Sequence, residues 1–93
     1  MNLKHVEGIN KGHIMLYALS TCVWCRKTKA LFDELGLDYY YVDVDLEDEE
    51  TQAVLRKEIM KWNRSCSFPT IVIDDERCIP GYEPLTIKKL AGR

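Results

Sequence analysis

The stretch Ile14-Met15-Leu16-Tyr17-Ala18-Leu19-Ser20-Thr21-Cys22-Val23-Trp24-Cys25 decides the fold. Its apolar first half reads as a strand covered on both faces. Ser20 and Thr21 then offer helix N-cap chemistry. The two cysteines that follow stand three apart, a spacing that puts both on one face of a helix start. Their sulfurs can therefore meet and alternate between dithiol and disulfide. The unpaired N–H groups and positive dipole end of the helix favour thiolate at Cys22, the nucleophilic form. Cys25, one turn further in, is expected to be shielded and protonated. Cys22 is then the sulfur that attacks a disulfide, and Cys25 the one that resolves the mixed disulfide.

Outward from this stretch the chain alternates strand and helix. Trp24, Thr28, Leu31 and Leu35 fall at helical spacing, and Gly36 stands where a C′ residue would. Residues 38–44 hold three tyrosines and two valines and read as a second strand. The tyrosines admit two readings, alternate packing against helices on opposite faces or a binding surface. Packing fits the pleat better. Asp45, Glu47, Asp48, Glu49 and Glu50 lead into a second helix, Glu49–Trp62, and complementing its positive end fits them better than the other reading, a metal cluster. Residues 71–73 and 77–79 read as a hairpin about Asp74-Asp75, and residues 85–91 as a last helix. The order is βαβαββα: an α/β fold with a four-stranded mixed sheet and helices on both faces. Residues 1–11 are expected as an N-terminal extension, loose or added on, to a domain of residues 12–93. A short strand near Lys4 is only weakly signalled.

The chain's 93 residues suffice for one domain. A net charge of −2 gives no polyanion-binding surface, so nucleic acid is not an expected partner. No apolar run approaches the ~18 residues of a membrane span, and residues 1–12 lack the apolar core of a secretory signal. The expected location is cytoplasmic. In a reducing compartment, four cysteines point to catalysis or metal binding rather than to a disulfide framework.

Three motifs, residues 17–25, Ser67-Phe68-Pro69-Thr70 and Gly81-Tyr82, occur in this order in this topology. In them the sequence resembles the glutaredoxins of the thioredoxin superfamily, over about residues 12–92. The resemblance implies a thioredoxin-like fold, a dithiol–disulfide oxidoreductase built on Cys22 and Cys25, and a cis bond before Pro69. That bond would set the Phe68 backbone beside Cys22, where an extended substrate can pair with it like an extra strand. Val23, Trp24, Phe68, Pro69, Gly81 and Tyr82 are the implied substrate-binding residues. No bound cofactor is implied beyond the Cys22–Cys25 disulfide, and the chain is expected to be a monomer.

Two departures bear on the electron donor. Glutathione-using members usually carry a lysine where this chain has Leu19. They also carry a Gly-Gly pair with a following aspartate where it has Pro80-Gly81-Tyr82-Glu83-Pro84. This last stretch is similar to the glutaredoxin-like redoxins that serve ribonucleotide reductase and draw on thioredoxin reductase. Tyr17 to Cys22 with Trp24, and Cys66 to Thr70, resemble a glutaredoxin-like group of archaea and anaerobic bacteria. Glutathione, another thiol or a thioredoxin reductase-like enzyme thus stand as donors, and a protein or a small disulfide as substrate.

Rival readings attach to the other chemistry-bearing residues. Cys66 admits a glutathione-accepting, resolving or metal-binding role beside that of an unreactive loop thiol. Cys78 fits a small buried apolar residue. With the histidines His5 and His13, or as four thiolates, the cysteines admit a zinc or iron–sulfur module. Two solvent-facing imidazoles are the simpler reading of the histidines. A sensor domain without turnover is a third possibility.

Overall fold

A computed structural model describes all 93 residues. Five strands and three helices follow one another as β1 (Lys4–Val6), β2 (Ile14–Ala18), α1 (Val23–Glu34), β3 (Tyr39–Asp43), α2 (Glu49–Trp62), β4 (Thr70–Ile73), β5 (Arg77–Pro80) and α3 (Pro84–Ala91). A single 3₁₀ turn, Val44–Leu46, lies between β3 and α2. The sheet order is β1-β3-β2-β4-β5. Strands β2 and β3 are parallel, as their connection through α1 requires, and all other pairs are antiparallel.

Strand β2 is the centre of the molecule. Its Ile14, Leu16 and Ala18 face α1 and α3, joining Phe32, Tyr39, Ile71, Ile73, Ile79, Ile87 and Leu90 in the larger core cluster. Its Met15 and Tyr17 face the other side, where α2 brings Leu55 and Ile59 against Val42 and Val44. The expected α/β architecture, with helices on both faces, is what the chain forms.

The sheet has five strands rather than four. Residues 1–11 are not loose. His5 pairs across from Tyr40 in β1–β3, and Ile9 bridges to Leu37. The exposed start of the chain is tied down as well, since the Asn2 N–H and side-chain amide donate to the Glu47 carboxylate at 2.8 and 3.0 Å. A three-residue edge strand shows no periodicity in sequence, which is why its signal was weak.

Local chemistry sets the element ends. Gly36 has φ +68°; its N–H bonds to the Asp33 carbonyl, and that of Leu37 to the Phe32 carbonyl. These are the two bonds of a Schellman motif, in which Gly meets no Cβ penalty. Asp48 caps α2, accepting from the Thr51 N–H at 2.7 Å. Asp74 and Asp75 both have positive φ, and the Glu76 N–H closes the turn on the Ile73 carbonyl. This is the type I′ geometry that matches hairpin twist.

Of the tyrosines, Tyr39 is buried edge-on against Phe32 on the α1 face, and Tyr41 lies beside it. Tyr40 points to the opposite face, as the pleat requires, yet its ring stacks with His5 at 4.3 Å and with His13 at 5.2 Å instead of meeting a helix. Both imidazoles remain exposed, and His5 Nε2 lies 2.9 Å from Asp38 Oδ1.

Candidate active site

The cap of α1 is Cys22 itself, not Ser20 or Thr21. Its sulfur accepts the Cys25 N–H at 3.3 Å, and its carbonyl accepts the Arg26 N–H at 3.0 Å. Ser20 is turned away because Asp45 takes both its N–H, at 2.8 Å, and its hydroxyl. That contact fastens the turn before the cysteines to the end of β3. The nucleophile candidate thus occupies the position where the orphan N–H groups of a helix converge.

The two sulfurs differ in environment. Cys22 is half-buried, whereas Cys25 is fully buried. Burial, first, and then the hydrogen bond with Cys22 push the Cys25 thiol up to about 12. The Leu19 N–H donates to Cys25 Sγ at 3.4 Å and, with Lys29, acts in the opposite direction. All four cysteines are free thiols.

The Phe68–Pro69 bond is cis, as the resemblance implies. The Phe68 carbonyl lies 4.0 Å from Cys22 Sγ. Its loop is held from behind by Asn63, a buried side chain whose amide donates to Ser67 Oγ at 2.9 Å and to Thr70 Oγ1 at 3.0 Å. Trp24, Phe68, Pro69, Pro80, Gly81 and Tyr82 line an open groove of about 350 Å³. Five of the six implied substrate-binding residues are therefore brought together. The sixth, Val23, stands beside the groove with 57% of its surface exposed. Gly81 holds φ +108°, and no atom lies within 4 Å of where its Cβ would be. Backbone conformation rather than crowding selects glycine there.

Trp24 and Tyr82 stack at 5.7 Å across the groove, and Lys27 Nζ sits 4.8 Å from the Trp24 ring. At the other side the Arg56 guanidinium lies 5.8 Å from the Phe68 ring. Arg56 carried no signal in sequence, and Pro80 was not among the implied substrate-binding residues. Arg56 is one of several charges on a solvated helix, and only the tertiary fold sets it against Phe68.

The remaining candidates lie elsewhere. Leu19 packs with Val42, Val44, Leu55 and Ile59, inside the α2 layer. Cys66 joins the same layer, with its thiol 4.0 Å from the Arg56 carbonyl and a backbone at φ +49°. Cys78 pairs with Val72 in β4–β5, and burial, followed by Glu83, raises its thiol. No three His, Cys, Asp or Glu side chains converge to a metal-binding set.

The glutaredoxin family model matches residues 14–78, which include both cysteines, the cis-proline loop and most of the sheet. The chain is 32% identical over 77 residues to an uncharacterised glutaredoxin-like 8.6 kDa protein in the rubredoxin operon of Clostridium pasteurianum. That match takes in 83% of this chain and 95% of the relative. It is 37% identical over 62 residues to glutaredoxin 1 of Rickettsia bellii, covering 67% of this chain and 62% of that protein. Among solved structures, Methanosarcina acetivorans methanoredoxin superposes with a TM-score of 0.88 at 45% identity, over 92% of this chain and 90% of that one. The chain therefore belongs to the glutaredoxins, a family of thiol–disulfide oxidoreductases within the thioredoxin superfamily.

Proposed function

We propose that the protein reduces disulfides through the Cys22–Cys25 dithiol, Cys22 as nucleophile and Cys25 as resolving thiol. The unequal surroundings of the two sulfurs carry this reading. Cys22 is reachable and capped by the Cys25 N–H, while Cys25 is buried with its proton held. Cys22 thiolate attacks one sulfur of the substrate, the other leaves as a thiolate, and a mixed disulfide remains. Cys25 then attacks Cys22, expelling the second substrate thiol and leaving Cys22–Cys25 oxidised. The groove of Trp24, Phe68, Pro69, Gly81 and Tyr82, with Val23 at its rim, holds an extended disulfide substrate. The Phe68 backbone pairs with it like a strand.

The donor that returns the disulfide to the dithiol is an enzyme of the thioredoxin reductase type. Supporting this, Leu19 is packed into the α2 layer where glutathione-using members present a lysine. Losing a charge-assisted contact typically forfeits about 1.5–3 kcal/mol. The protein acts as a cytoplasmic monomer with no bound cofactor.

Two experiments test the reading. Cys22→Ser should abolish turnover of a disulfide substrate, and Cys25→Ser should trap a mixed disulfide visible by mass. Turnover by Cys22→Ser would refute the assignment. With the same substrate, reduction should be supported by thioredoxin reductase and NADPH. Equal or better turnover with glutathione, glutathione reductase and NADPH would overturn the donor.

A further inference from the structure

Cys25 must give up its proton in surroundings that resist the resulting charge. Its sulfur is fully buried, yet only a thiolate attacks a disulfide. On its own helix, the cation four residues on is Lys29, on the same face. The Lys29 ammonium is not a loose surface charge. It sits 2.9 Å from Asp43 Oδ1 and 4.2 Å from the centre of the Tyr41 ring, and its side chain is 23% exposed. Asp43 is in turn paired in register with Ala18, the neighbour of Leu19, whose N–H donates to Cys25 Sγ. The ion pair thus lies within the framework that holds the buried sulfur.

We infer that Lys29 is a positioning residue of the resolving step, its ammonium supplying the positive potential against which the Cys25 sulfur takes on charge, with Asp43 as the counter-charge that tempers it. The inference rests on the roles proposed above for the two cysteines. In that step Cys25 thiolate forms a bond to Cys22 Sγ, and the bond from Cys22 to the substrate sulfur breaks. The departing sulfur leaves with the electron pair. The Cys25 proton passes to water and the departing thiolate takes one up, so protons balance and no further reductant enters.

The charged groups facing this sulfur are few. Lys29 comes from its own helix, with Asp43 of β3 as that lysine's ion-pair partner and Asp45, in the turn after β3, bonded to Ser20. Cys22 stands at the cap. The field of Lys29 reaches both Cys25, which it favours ionising, and Asp45. On the remaining sides lies the apolar core that includes Ala18, Phe32 and Ile87, while α3 turns Lys88 and Lys89 to solvent. Asp43 opposes Lys29 in this account, because its carboxylate cancels part of the positive field. Removing either partner therefore changes the resolving rate in opposite directions, which loss of a purely structural ion pair would not do.

The test is a stopped-flow reaction of the reduced protein, with Cys66→Ser and Cys78→Ser in every form compared so that the other two free thiols are silent, with 5,5′-dithiobis(2-nitrobenzoate), read as two releases of thionitrobenzoate across pH 6–9. The first release reports Cys22 and the second Cys25. In Lys29→Gln the second release should slow by about threefold at each pH, as loss of a favourable charge requires. In Asp43→Asn it should quicken by a comparable factor, and Lys29→Arg should restore the native rate. The first release should stay within about twofold throughout. A second release unchanged in both variants, or shifted the same way in both, would overturn the inference. Absence of the first release from the native protein would instead overturn the roles given to the cysteines.

Discussion

Cys25 shows how much one buried atom decides. Its thiol is pushed up to about 12, whereas an unfolded chain would ionise it near 9.0. The folded form therefore keeps a proton that the unfolded form releases, and stability must fall as pH rises through this interval. Urea denaturation of the reduced protein should show this decline beginning just above pH 9. Cys25→Ser, which carries no titrating thiol, should flatten the part of the decline that precedes tyrosine ionisation. At this scale the sequence was a good guide to chemistry and a poor one to contacts. The Cys-x-x-Cys spacing announced the two sulfurs that the helix start brings together. That Cys22 is the cap, and that Ser20 belongs to Asp45, depended on β3 ending beside the turn, 25 residues further on.

At the scale of elements, the acidic run before α2 resolves into separate tasks. Asp48 caps the helix, Asp45 holds the turn before the cysteines, and Glu47 anchors Asn2. Bonds from Thr51 and from Ser20 keep the carboxyls of Asp48 and Asp45 below the ordinary value, as the bond with His5 does for Asp38. Each contributes stability above pH 3.8 that is lost as pH falls through the lower folded value. Acid titration by circular dichroism should show unfolding that sets in below that pH. Asp48→Asn, which can still cap, should lessen the acid dependence while leaving α2 formed. The helices were legible because their apolar periodicity and stop signals are local, and Gly36 is the clearest case. Strand β1 was not, because three edge residues have no period to read. Nor was the Tyr40 stack, which unites residues from β1, β3 and the start of β2.

The whole molecule is organised so that two cores of different size meet at β2. The face with α1 and α3 carries the larger core, and the face with α2 the smaller one. The N-terminal segment completes the sheet beside β3 without touching the groove. Removing residues 1–9 should therefore spare the two-step thiol reaction but strip the β3 edge of its partner. Light scattering of the truncated protein should show self-association absent from the full chain, with the rate of Cys22 attack unchanged. Loss of that rate would mean that the segment supports the site as well as the sheet. Crowding also speaks at this scale. A Cβ on Gly8 would come within 2.5 Å of the Gly36 carbonyl oxygen, so Gly8 is fixed by a close approach of two backbones distant in sequence.

The Asp74–Asp75 turn has a consequence for how this protein can be altered. Both residues hold left-handed backbone conformations, yet only Asp74 has a side-chain task, accepting the His13 N–H at 2.7 Å. Asp75 bears the conformational cost with no hydrogen bond in return, and glycine bears none. Asp75→Gly should raise the thermal midpoint by a few degrees, the effect of about 1 kcal/mol in a domain of this size. Evolution has thus left slack at the far end of the hairpin, open to an engineer who wants a hardier reductant without approaching its sulfurs.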